Sequence, residues 1–154
     1  MKALALAAVL VIVATRGASA FTFSDGTSAT CTARGEVVSE IDAAPGSRVM
    51  QLNYTAITGR SGSGYQIQWN AKKFASLPPA IHDLLFFHEC AHAQVPTTDE
   101  TRANCEGLKA MRAAGRAGFA VESRLAAFYG AGSEYWAKTL KCANEGIEPA
   151  PPQG

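Results

Sequence analysis

The chain has 154 residues, of which 14 are basic and 13 acidic, so its formal net charge is +1 and hydrophobic residues make up 47%. A balance this close to neutral, with no block of like charges, leaves no electrostatic footprint for nucleic acid or an anionic membrane surface. The length suits one domain with a core of its own.

Lys2 precedes an apolar run that lasts to Ala14, and Ala18-Ser19-Ala20 supplies the small residues of an A-x-A cleavage site. This is the pattern of a secretory signal peptide, residues 1–20, removed before Phe21. The apolar run is short for a membrane span, and nothing later is long and apolar enough to insert in a membrane. The expectation is an exported protein, periplasmic or secreted, with residues 21–145 as a single domain. Residues 146–154, rich in proline, are expected to be a disordered tail. The four cysteines, Cys31, Cys90, Cys105 and Cys142, are even in number and contain no C-x-x-C pair, which in an exported chain favours two disulfides over a zinc knot.

From Phe21 to about Asn70, residues that prefer strands dominate. Strands are predicted over Cys31 to Ile41, Arg48 to Thr58 and Tyr65 to Asn70, the last with Tyr65, Ile67 and Trp69 alternating with Gln66 and Gln68. The stretches 43–46 and 59–64 read as turns. After Leu77-Pro78-Pro79 the character becomes helical: about Pro79 to Gln94, Thr98 to Ala114, Ala120 to Tyr129 and Glu134 to Ala143. The predicted class is α+β, a small N-terminal antiparallel sheet followed by a helical half.

The first long helix carries His88-Glu89-Cys90-Ala91-His92, an H-E-x-x-H sequence. Residues four apart share a helix face, so His88 and His92 can offer nitrogens to one ion, with Glu89 beside them as a base. Leu84, Leu85, Phe86, Phe87 and Ala91 make the helix apolar nearly all round, which predicts burial. Two buried imidazoles and a carboxylate require partners, and a divalent cation satisfies all three. A hydrolytic zinc usually takes three protein ligands. Glu100 is the candidate third ligand, because the short link through Pro96 predicts an antiparallel helical hairpin that sets Glu100 opposite His92 and Asn104 level with His88. Asn104 could then accept the free imidazole N–H. Glu100 has a competing role as the last residue of a capping box, Thr97-Thr98-Asp99-Glu100. His82, six residues before His88, falls off the ligand face and reads as a polar residue of the first turn.

His88-Glu89-Cys90-Ala91-His92 followed by Glu100-Thr101-Arg102-Ala103-Asn104 resembles the gluzincin group of zinc metallopeptidases, in particular the branch with a downstream E-x-x-A-D sequence. The stretch from about residue 65 to 143 is further similar to a group of small exported bacterial H-E-C-A-H proteins. The resemblance implies one Zn2+ per chain held by His88, His92 and Glu100, with Glu89 as general base. Asn104 stands where the peptidases have aspartate, and the gap from His92 to Glu100 is shorter than in the larger members.

The implied activity is hydrolysis of a peptide or protein substrate. Tyr129 and Tyr135 are candidate oxyanion donors, although packed aromatics would look the same. The Tyr65 to Asn70 strand is the candidate surface for substrate backbone if it is a sheet edge. Cysteine pairing stays open between Cys31–Cys90 with Cys105–Cys142 and Cys90–Cys105 with Cys31–Cys142. The alternative function is a non-catalytic zinc-binding accessory protein of the periplasm or cell envelope, with an unidentified protein partner.

Overall fold

The computed structural model describes residues 20–145; the expected leader, but for Ala20, and the expected tail lie outside the described residues. In chain order the elements are β1 (Phe21–Thr22), β2 (Ser28–Ala29), β3 (Thr32–Ala33), β4 (Glu36–Val37), β5 (Ser39–Asp42), α1 (Arg48–Gln51), β6 (Ala56–Ser61) and β7 (Gly64–Trp69). They continue with α2 (Ala71–Phe74), α3 (Pro79–Gln94), α4 (Glu100–Ala113), α5 (Phe119–Tyr129) and α6 (Glu134–Asn144). The architecture is α+β, as the change of periodicity near Pro78 predicts.

The sheet region differs in detail from the sequence reading. The predicted strand from Cys31 to Ile41 is broken between β3 and β4 by a two-residue turn at Arg34-Gly35, where both residues have positive φ, 55° and 80°, and again at Val38, after which β5 leaves for another sheet. The predicted strand from Arg48 begins instead with the helical turn α1. Only Val49 of that turn is buried, while Met50, Leu52 and Tyr54 remain exposed, so those apolar side chains have no sheet face to join. The predicted loop 59–64 is mostly strand: β6 runs to Ser61, and Gly62-Ser63 alone turns the chain, with Gly62 at φ 60°. The three-stranded sheet has the order β5-β7-β6, in which β6 pairs antiparallel with β7 and β5 adds a parallel pairing. β7 is therefore the central strand, with Ile67 and Trp69 buried.

Helix α3 lies between two cores, which explains its lack of a polar face. Phe86, Cys90 and Ala93, spaced i, i+4, i+7, pack toward the strands with Phe21, Phe23, Val38, Ile67 and Trp69. Ala80, Ile81 and Leu84 pack on the other side with Leu108, Met111, Leu125 and Trp136 of the following helices. Burying such side chains stabilises each by roughly 1.5–3 kcal/mol. The start of α3 is also held by charge: Asp83 accepts from Ser24 N at 2.8 Å and Ser24 Oγ at 2.9 Å, and Arg116 reaches Asp83 and Asp25.

Disulfides join Cys31 to Cys90 and Cys105 to Cys142. The first fastens the β3–β4 hairpin to α3, and the second fastens α4 to α6. Their sequence separations of 59 and 37 residues correspond to about 4 kcal/mol each in the chain-entropy picture. Two disulfides fit an oxidising environment of the kind exported proteins meet. Among the described residues, no helix is long and apolar enough to cross a membrane.

Candidate metal and catalytic site

The site is assembled where the end of α3 meets the start of α4 beneath strand β6. His88 and His92, one turn apart on α3, turn their rings to the same side, with centroids 4.8 Å apart. Val95 and Pro96 end the helix, and the chain reverses into α4. Asp99 caps α4, its Oδ1 accepting from Thr101 N at 2.8 Å and Arg102 N at 3.0 Å. The capping alternative for Glu100 therefore falls to Asp99. The Glu100 carboxylate is left to reach across the hairpin, Oε2 lying 3.1 Å from His88 Nε2 and 3.7 Å from His92 Nε2.

The hydrogen bonds on the far side of each ring decide what the near side offers. His92 Nδ1 lies 2.7 Å from the Thr97 carbonyl, which can only accept, so this nitrogen carries the proton. His88 Nδ1 lies 3.3 Å from Asn104 Oδ1 and donates to it. In the neutral rings both Nε2 atoms are then lone-pair acceptors, and they stand 3.1 Å from each other. Three acceptors facing one point repel one another unless a cation lies between them. The separations of 3.1, 3.1 and 3.7 Å compare with the roughly 3.3 Å edge of a tetrahedron with metal–ligand bonds of about 2.0–2.1 Å. The donor set, two imidazoles and a carboxylate, thus fits a small divalent ion.

Electrostatics point the same way. When no cation is bound and the rings take up a proton at Nε2, the hydrogen bonds from His88 and His92 hold the Glu100 carboxyl well below the usual carboxylate range, although its side chain is largely exposed. For His92, burial opposes the charged form, but the Glu100 and Thr97 contacts and the charge of Glu89 outweigh it and raise the pKa. The cluster attracts positive charge.

Glu89 is buried beside the two histidines, and burial raises its pKa against the lowering influence of His88 and Thr58. Thr58 of β6 places its Oγ1 2.7 Å from Glu89 Oε2 and 2.9 Å from the Glu89 carbonyl oxygen. This contact ties the carboxylate to the sheet. Sequence reading gave Thr58 no role, because a threonine in a strand carries no distinguishing signal.

Behind His88 lies a buried relay. Asn104 accepts from His88 and donates through Nδ2 to Thr139 Oγ1 at 3.2 Å, and Thr139 donates to the Tyr135 carbonyl at 3.0 Å. Asn104 and Thr139 are both fully enclosed. Thr139 was also missed, although its position offers a sign: it is the polar member of the buried α6 set Trp136, Thr139, Ala143.

The Tyr135 hydroxyl lies 3.3 Å from the backbone carbonyl of Glu100 and donates to it. Tyr129 stacks on Trp136 with ring centroids 5.4 Å apart, and burial together with the Glu100 charge pushes its hydroxyl up to about 12. Neither tyrosine lines the groove described next. His82 pairs with Asp83 and packs against Phe74 and Phe21, apart from the site. Cys105, Glu106 and Cys142 also cluster at ligand spacing, but the disulfide occupies both sulfurs.

His88, His92, Glu89 and Glu100 open onto a groove of about 700 Å³ that runs along β6. The strand bordering it corrects the sequence reading. The predicted strand Tyr65 to Asn70 falls on the central strand β7, Gly64–Trp69, whose two sides are bonded to β5 and β6, so it has no free edge for a substrate, and Asn70 instead caps α2. The outer strand beside the groove is β6, and Ala56, Ile57 and Thr58 line it. No protein family, curated protein or solved structure matches the chain.

Proposed function

We propose that this protein is a metal-dependent hydrolase. More particularly, we read it as an exported zinc endopeptidase that cleaves extended polypeptide laid along β6. The observation that carries the reading is the buried Glu89 carboxylate, fixed by Thr58 beside the three-acceptor cluster and open to the groove. A metal that only stabilises a fold has no use for such a base.

His88, His92 and Glu100 would hold the ion, with Asn104 and the Thr97 carbonyl orienting the two rings. A zinc ion bound there supplies Lewis acidity, polarising the substrate carbonyl and acidifying water. Glu89 takes the proton of the attacking water and passes it to the leaving amine nitrogen. Thr58 keeps the carboxylate aimed during both transfers. The free edge of β6 offers backbone donors and acceptors that hold a substrate without demanding one sequence.

The test is metal analysis of purified protein together with cleavage of an unfolded protein substrate by wild type and Glu89→Gln. One zinc per chain in both, with cleavage by wild type alone, is the expected result. Zinc in both and cleavage by neither would instead favour the non-catalytic metal-binding protein. Failure to take up zinc on reconstitution overturns both readings.

A further inference from the structure

The groove has two chemically different ends. One is the cluster of His88, His92, Glu89 and Glu100. The other holds Arg48 at the start of α1 and Lys73 of α2, both beside the turn at Asn53, and Leu85, Ala56 and Ile57 supply apolar lining. The chain leading into β6 gives the scale. Thr58 touches Glu89, and five residues earlier the Asn53 carbonyl accepts from Lys73 Nζ, so at about 3.3 Å per extended residue these two contacts stand no more than roughly 16 Å apart.

The charge at the second end is not neutralised locally. Lys73 Nζ donates to the carbonyl of Asn53, a neutral acceptor that fixes the ammonium without cancelling it. Among the described residues, no hydrogen bond or ion pair engages the Arg48 guanidinium. The acidic groups lining the groove, Glu89 and Glu100, both sit at the opposite end, where a bound divalent ion would balance them.

We propose that Arg48 and Lys73 form a subsite for a carboxylate of the substrate. It selects extended peptides with an aspartate or glutamate about three to five residues from the bond attacked. Guanidinium and ammonium are the side chains that recognise carboxylates, and the apolar lining of the groove suits the intervening small or aliphatic residues. This inference rests on the hydrolase reading for the word substrate, but the binding it describes does not.

The test uses short labelled peptides of alanine, glycine and leucine with a single Glu or Gln moved along the sequence. Binding to the zinc-loaded Glu89→Gln protein is measured beside cleavage by wild type. The Glu peptide should bind and be cut about three- to tenfold better than its Gln twin when the charge lies about three to five residues from the cleaved bond. Rising salt should erase the difference. Arg48→Glu/Lys73→Glu should reverse it, favouring a Lys peptide, with zinc content unchanged. Charge-dependent binding without any cleavage by wild type would sustain the subsite and defeat the hydrolase reading. Equal binding of Glu and Gln peptides at every position, or an unaltered preference in the double variant, overturns the subsite.

Discussion

Gly107 of α4 passes so close to His88 of α3 that a Cβ added to it would stand 2.8 Å from the His88 backbone nitrogen and 2.9 Å from its Cα. The two helices touch backbone to backbone at this point, one turn beyond Asn104. In an exposed helix, Gly→Ala would stabilise by about 1 kcal/mol. Here the obstructing atoms are backbone and cannot swing aside, so the steric term decides the sign. Gly107→Ala should lower stability by about 1–3 kcal/mol and weaken metal binding, because α4 carries both Glu100 and Asn104. Thermal unfolding with and without zinc checks this, and a variant as stable as wild type would refute the packing argument.

Thr58 is expected to matter to turnover more than to folding. Thr58→Val keeps the shape and removes the hydroxyl that holds Glu89, and kcat should fall about tenfold or more with zinc content retained, the size expected for losing a charge-assisted hydrogen bond. Thr58→Ser should restore most of the rate. A Thr58→Val enzyme with the wild-type kcat would show that the hydroxyl does not position Glu89.

Asn104 makes a prediction about metal affinity. Asn104→Leu leaves the His88 Nδ1–H without its acceptor in a fully enclosed position. Loss of such an orienting partner typically costs 10–100-fold in affinity. Competition with a chromophoric chelator measures it. Affinity equal to wild type would show that the His88 ring is held by other contacts.

The stability of the fold should depend on pH through Glu40 of β5, which does not line the groove. Burial raises the Glu40 pKa to about 7, against the lowering effect of the hydrogen bond from Trp69 Nε1 at 3.0 Å. The folded chain therefore keeps a proton that the unfolded chain releases near pH 4.5. Stability from this group is full below about pH 4.5 and declines as pH rises to about 7, by about 3 kcal/mol at 1.36 kcal/mol per unit. Denaturant unfolding of metal-free protein should show this slope, and Glu40→Gln should flatten it. A slope unchanged in Glu40→Gln would place its origin elsewhere.

What the sequence by itself determined is local. Pro79 and Pro96 bound α3, the i, i+4 spacing of His88 and His92 puts both rings on one side, and the short link after Gln94 folds α4 back so that Glu100 and Asn104 face them. These relations need only helix geometry and a brief turn. The structure then decided everything that depends on distant segments meeting. Asp99 rather than Glu100 caps α4. Thr58, 31 residues before Glu89, comes to hold its carboxylate. Thr139 of α6 backs Asn104. Cys31 finds Cys90, a pairing that counting cysteines left open. β5 adds alongside β7 and makes it the central strand, which passes the free edge to β6. Strand order and register are set by which apolar faces cover one another, and the alternation within Tyr65 to Asn70 is the same whether that strand lies at an edge or at the centre.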